Sequence, residues 1–155
     1  MYSKRTLTFC VLLCSLTIIL DQASKWVILA NLNVNSVIRV FTSFNLVLAL
    51  NYGTSFGLLV PNTMYGVYFL MTMSVLLIII LLFAFVKFRN SIEKILLSVL
   101  IGGAISNLID RIIHGAVIDF IDIYYKNWHW PAFNIADIAI TCSALGLILY
   151  NLFKK

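Results

Sequence analysis

Charged residues are scarce in this chain. Only 11% of its 155 residues are Asp, Glu, Lys or Arg, while 62% are hydrophobic. Soluble domains usually carry roughly 25% charged residues. A water-soluble domain of this length could not hide so much apolar surface. Composition therefore excludes disorder and an ordinary soluble fold, and points to an integral membrane protein made of one domain, 1–155. Histidine is nearly missing. His114 and His129 lack metal-ligand spacing with any cysteine, and there is no HExxH. No metal and no cofactor is expected. The three cysteines (Cys10, Cys14, Cys142) fall within apolar stretches and read as small packing residues, not as a disulfide framework. There is no internal repeat and no low-complexity tract. No small-x-small site follows the first apolar run, and Asp21 interrupts it. That segment reads as a retained helix rather than a cleavable leader.

What is present is a set of long apolar runs. Met64 to Val86 holds no charge. About 23 residues at 1.5 Å each cover roughly 34 Å, enough for a hydrocarbon core of about 30 Å. Thr6–Leu20, Ile95–Ile109 and Ile138–Phe153 are also uncharged. The pattern predicts four spans, at about 6–30, 64–87, 94–113 and 134–153, with outward segments 31–63 and 114–133. Both termini then share one side with Lys4, Arg5, Lys87, Arg89, Lys94, Lys154 and Lys155. Lys25, Arg39, Arg111 and Lys126 fall to the other. The seven-to-four split makes the first side cytoplasmic. It also accounts for the net charge of +5, and no nucleic-acid partner is expected. Ser36–Val60 is too apolar for a plain loop. Its alternation at Val37, Arg39 and Phe41 predicts short strands on the outer surface, with Asn51-Tyr52-Gly53 as a turn. Gly115–Phe133 is rich in aromatics, as in a belt at the membrane interface. The expected fold is mainly α, four transmembrane helices with a small β-rich platform on the outer membrane surface.

Three acids sit inside these spans at matching depth. Arg5 to Asp21 is 16 residues, Lys94 to Asp110 is 16, and Lys154 back to Asp137 is 17. Each separation is about 24–26 Å of helix. Intramembrane charges are costly, face the bundle interior and are functional by default. Helix ends often carry single charges, but three at one depth favour a polar site. Asp21 and Lys25 share a helix face at i, i+4, in D-Q-x-x-K. Asn107 lies one turn from Asp110 and Arg111, and Asn134 one turn from Asp137. Gly102-Gly103-Ala104 would let another backbone approach closely. Asp119 sits nine residues after Asp110, beyond Gly115, and a connection that short lets the chain fold back and return Asp119 to the same plane. Paired carboxylates suit general acid–base work, because two of them in a poorly solvated site cannot both ionise easily.

One competing motif needs weighing. Gly53-Thr54-Ser55-Phe56-Gly57 matches the nucleophile-elbow pattern G-x-S-x-G. It follows a turn and leads into Leu58-Leu59-Val60-Pro61 rather than a helix. A turn or substrate-contact role is the better reading for Ser55.

Five motifs together resemble lipoprotein signal peptidase (signal peptidase II), a family of bacterial membrane aspartic peptidases. They read D-Q-A-S-K at 21–25, N-Y-G-T-S-F-G at 51–57, G-G-A-I-S-N-L-I-D-R at 102–111, G-A-V-I-D-F at 115–120 and F-N-I-A-D at 133–137. One departure is Ser106, where the family usually has Gly; it is expected to shift packing without removing a catalytic group. The resemblance implies removal of signal peptides from diacylglyceryl-modified prolipoproteins, just N-terminal to the lipidated cysteine. It implies the cytoplasmic (inner) membrane as the location, with an active site near the outer surface. The partners would be the lipidated substrate and membrane phospholipid, and a monomer is expected. The residues alone leave Asp110, Asp119 and Asp137 as candidates, and the motif positions put the catalytic pair at Asp119 and Asp137. Asp110 sits beside Arg111 and Asn107 and reads as part of a structural network. Asp122 reads as a solvated interface acid. Asn134 would orient Asp137, and Asn51 and Gly53 would shape a turn over the site. Asp21 and Lys25 would tie the first helix to the platform, or form a packing network without substrate contact. Arg111 has two open roles: binding substrate main chain or lipid headgroup, or pairing with an acid.

Overall fold

Each long apolar run is a helix in the computed structural model, which describes residues 4–34, 36–53 and 64–154. The helices are α1 (Lys4–Asn31), α2 (Met64–Lys87), α3 (Ser91–His114) and α4 (Ile135–Phe153). All four are long and apolar enough to cross a membrane. Four strands lie between them: β1 (Val37–Phe41), β2 (Phe44–Asn51), β3 (Val117–Tyr125) and β4 (Trp128–His129).

Helix α3 is central. Its most apolar window is 61% buried, against 6–11% for the other three, whose outward faces carry exposed residues such as Leu12, Ile80, Phe83 and Leu149. An apolar exterior with polar residues inside is what lipid contact requires. The buried residues of α1 are Cys10, Thr17, Asp21, Lys25 and Ile28. Their spacing of three, four or seven keeps them on one face. Small residues on α3 set how close its neighbours come. A Cβ on Gly102 would sit 2.8 Å from the Cys14 carbonyl oxygen of α1, and one on Gly103 2.8 Å from the Ala136 carbonyl oxygen of α4. Both obstacles are backbone, so neither can swing aside. Gly103→Ala is expected to force α3 and α4 apart, at a cost of about 1–3 kcal/mol for overpacking. A thermal melt in detergent should show the loss; an unchanged Tm would mean the crossing is looser than this spacing requires. At the end of the bundle away from the sheet, buried Glu93 of α3 accepts from Lys154 Nζ at 2.9 Å. That hydrogen bond raises the Lys154 ammonium above its ordinary value.

The strands form one antiparallel sheet in the order β1-β2-β3-β4. It docks on the end of α1, where Ile28 and Leu32 pack with Leu48, Ile118 and Phe120. Each such side chain contributes about 1.5–3 kcal/mol by leaving water. Two strands lie where the sequence suggests only an aromatic interfacial belt. The first half of β3 is buried on both faces, so Val117–Tyr125 lacks the alternation that betrays a half-buried strand. Asp122 also differs from its expectation as a solvated acid. It is buried, with Asn45 Nδ2 donating to it at 2.8 Å and His129 Nδ1 at 2.8 Å. Cys10 is packed as expected, whereas Cys142 lies exposed on its helix.

Candidate active site

Where the bundle meets the sheet, backbone reversals bring the acids together. Helix α3 ends at Gly115, whose φ of 71° is left-handed and whose N–H donates to the Arg111 carbonyl at 3.0 Å. Glycine takes this conformation without steric cost. The chain turns back as β3, and Ile118 N–H donates to Asp110 Oδ2 at 3.1 Å. Asp119 thereby returns to the level of the helix acids, as the short connection predicts. It pairs across the sheet with Ala49 of β2.

Asp137 sits in the first turn of α4. Asn134 is the N-cap, accepting from Asp137 N–H at 2.9 Å, while Asp137 Oδ2 accepts from Asn134 N–H at 3.2 Å. This reciprocal capping box holds both residues. The Asn134 side chain then reaches the other acid, Nδ2 donating to Asp119 Oδ1 at 2.7 Å. One residue thus grips both carboxylates. The remaining oxygens are held as well. Asn51 Nδ2 donates to Asp119 Oδ2 at 2.9 Å, and Asn107 Nδ2 donates to Asp137 Oδ1 at 2.9 Å.

The supporting amides are themselves oriented. Gly53 N–H donates to Asn51 Oδ1 at 2.8 Å, which leaves the Asn51 amide nitrogen facing Asp119. Gly53 has φ of 86°, and a Cβ there would collide with Leu70 of α2. Lys25 Nζ donates to Asn107 Oδ1 at 3.0 Å, which turns the Asn107 nitrogen towards Asp137. Lys25 is 1% exposed and pairs with Asp21 Oδ2 and Asp110 Oδ2, each at 2.6 Å. Its three ammonium hydrogens therefore have three acceptors. Asp21 Oδ1 accepts from Ala136 N–H at 2.8 Å.

These contacts differ from two expectations. Asp21 and Lys25 bind α3 and α4 directly, and reach the platform through other residues: Asp110, which accepts from Ile118 N–H, and Asn107 with Asn134, which donates to the Ile118 carbonyl and to Asp119. Asp110 has Lys25 as its ion-pair partner, not its sequence neighbour Arg111. The Arg111 guanidinium reaches weakly to Ser74 Oγ at 3.5 Å and the Asn107 carbonyl at 3.4 Å. Its buried Nε has no hydrogen-bond partner among the described residues. Two residues outside the expected set join in. Gln22 Nε2 donates to Asp110 Oδ1 at 2.7 Å, and Ser106 Oγ to Asp21 Oδ2 at 2.7 Å. Gln22 was visible beside Asp21 in D-Q-x-x-K, but no spacing rule links it to Asp110. Ser55 lies outside the described residues.

Burial is the largest influence on Asp119. It pushes the carboxyl up to about 6 against the hydrogen bond from Asn51, and the nearby Asp137 carboxylate pushes the same way. Near neutral pH such a group exchanges a proton readily, which suits acid–base work.

The family described as Signal peptidase (SPase) II matches residues 13–153. This chain belongs to the signal peptidase II family. Proteins named lipoprotein signal peptidase are similar along most of it. That of Pasteurella multocida is 35% identical over 155 residues, covering 99% of this chain and 93% of the relative. That of Polynucleobacter necessarius is 38% identical over 143 residues, covering 90% and 86%. A solved structure described as a bacterial membrane enzyme, determined by the in meso method, superposes with a TM-score of 0.83 at 28% identity, covering 94% of each chain. As a signal peptidase II family member the chain is a peptidase, and its four spans make it a multi-pass membrane protein.

Proposed function

We propose that this peptidase removes signal peptides from diacylglyceryl-modified prolipoproteins by an aspartic mechanism, cleaving just N-terminal to the lipidated cysteine. The observation that carries the reading is the pair Asp119, buried, and Asp137, half-buried, at the sheet end of the bundle and joined through Asn134. With one proton between them, the charged carboxylate takes a proton from water and the water oxygen adds to the scissile carbonyl carbon. The neutral carboxyl gives its proton to the carbonyl oxygen. When the tetrahedral species collapses, the C–N bond breaks, the amine nitrogen takes the proton that the first carboxylate received from water, and one hydroxyl returns its proton to the other carboxylate as the C=O bond re-forms, which restores the pair with one proton. The products are a signal peptide with a new carboxylate and a lipidated cysteine with a free amine. The Nε of Arg111, which has no hydrogen-bond partner among the described residues, is a donor for substrate main chain or for the lipid headgroup.

Purified protein should convert a lipidated prolipoprotein to its shorter form on a gel and leave the unlipidated precursor uncut. Wild-type protein that binds this substrate without cleaving it would overturn the reading.

The scissile bond beside an outer-leaflet lipid requires the sheet to face outward and both termini to be cytoplasmic, in the bacterial inner membrane. Single cysteines placed in a cysteine-free background test this. Those within 36–53 and 115–130 should react with an impermeant reagent from outside the cell, and those within 88–92 should not. The reverse pattern would invert the topology.

A further inference from the structure

Ser106 has no part in the mechanism above, yet it is fully buried (0% exposed). It lies about one turn beyond Gly102 and Gly103, where α1 and α4 both press close to α3. Its Oγ accepts from Gln22 Nε2 at 3.0 Å and donates to Asp21 Oδ2 at 2.7 Å. The direction follows from the partners. An amide nitrogen only donates and a carboxylate only accepts, so the single hydroxyl proton goes to Asp21. The other oxygen of Asp21 holds Ala136 N–H, in the first turn of α4 and next to Asp137. Lys25 also binds Oδ2, but it is shared with Asp110 and Asn107. The Ser106 hydroxyl adds a second contact from a different direction and fixes the rotation of the Asp21 carboxylate.

We infer that the Ser106 hydroxyl is a positioning residue for Asp137, acting through Asp21 and the Ala136 N–H. The inference rests on the proposed aspartic mechanism for its kinetic consequence, and on geometry alone for its structural one. Losing the hydroxyl leaves Gln22 with Asp110 Oδ1 and the Ser106 carbonyl at 3.2 Å, and leaves Asp21 with Lys25. The fold therefore keeps its main ties while the first turn of α4 loses its precise seat.

The test uses Ser106→Ala and Ser106→Gly in the full-length protein. The first expected result is a fall of about 10-fold in kcat at unchanged KM, because small misplacements of catalytic groups cost up to about 100-fold. The second needs no substrate. An infrared titration of the carboxyl groups should show the Asp119–Asp137 pair with a midpoint displaced from wild type. The charged groups around that pair are Asp21 and Lys25 from α1, Asp110 and Arg111 from α3, and each acid of the pair for the other. All are retained in both variants. Wild-type kcat and an unmoved titration, with only Tm lowered, would reduce Ser106 to packing and overturn the inference. Failure of both variants to fold would overturn it too, by making the hydroxyl structural. Should the wild-type protein not cleave lipidated substrate, the aspartic reading fails on its own while the infrared titration still decides the role of Ser106.

Discussion

Asp119→Asn and Asp137→Asn are each expected to lower cleavage by at least about 10²–10⁴-fold, the usual contribution of a general acid or base, while leaving an inserted, folded protein. Asn has nearly the shape of Asp but neither takes up nor releases the proton the reaction needs. The wild-type pH–rate profile should be bell-shaped, with limits that belong to the coupled pair rather than to either acid. Stability should show a matching signature at Asp119. Its carboxyl titrates at about 6 in the folded protein, against an ordinary value of 3.8. Between these values the native state holds more protons than the unfolded one, so this group's contribution is fully present below about pH 4 and is lost as pH rises through 6. Asp119→Asn should remove that part of the slope. Melts of wild type and variant at pH 4, 5, 6 and 7 provide the comparison. A variant that cleaves at the wild-type rate, or keeps the whole slope, would take Asp119 out of the pair.

The largest loss of stability is expected from Lys25→Met. Asp21 and Asp110 are 0% and 1% exposed, and Lys25 is their shared cation. Removing one partner of a buried ionic cluster typically costs about 3–5 kcal/mol, because the remaining charges are left uncompensated. Yield and Tm should fall sharply, and activity with them, since Asn107 loses the contact that aims it at Asp137. Adding Asp21→Asn and Asp110→Asn to Lys25→Met should recover much of the folding, because replacing a whole buried cluster is often close to neutral. Asp110→Asn alone should lower stability without the full catalytic loss of the pair. A Lys25→Met protein with wild-type Tm would mean that water or lipid headgroups reach these acids.

The helices and the local polar contacts were legible in the sequence because both depend on short-range spacing. The uncharged run Met64–Val86 could only be a span. Asn134 and Asp137, one turn apart at the start of a helix, form the capping box that such spacing allows. What the sequence hid depends on long-range packing. Lys25 meets Asp110 across 85 positions, and the tempting neighbour Arg111 turned out to look elsewhere, because adjacent residues on a helix point in different directions. Strand β3 escaped notice because burial on both faces erased its alternation. The same burial turned Asp122 from an expected surface acid into one fastened by Asn45 and His129.

The proposed catalytic pair is drawn from β3 and α4, and its supports from α1, β2 and α3. No contiguous segment carries the site. During synthesis the last helix to emerge brings Asp137 and its cap, Asn134, after every other participant has been made. A nascent or wrongly threaded chain therefore lacks one of the two acids at the point of assembly. On the proposed mechanism, proteolytic competence becomes a certificate of complete insertion, and a half-built copy cannot cut its neighbours in the bilayer.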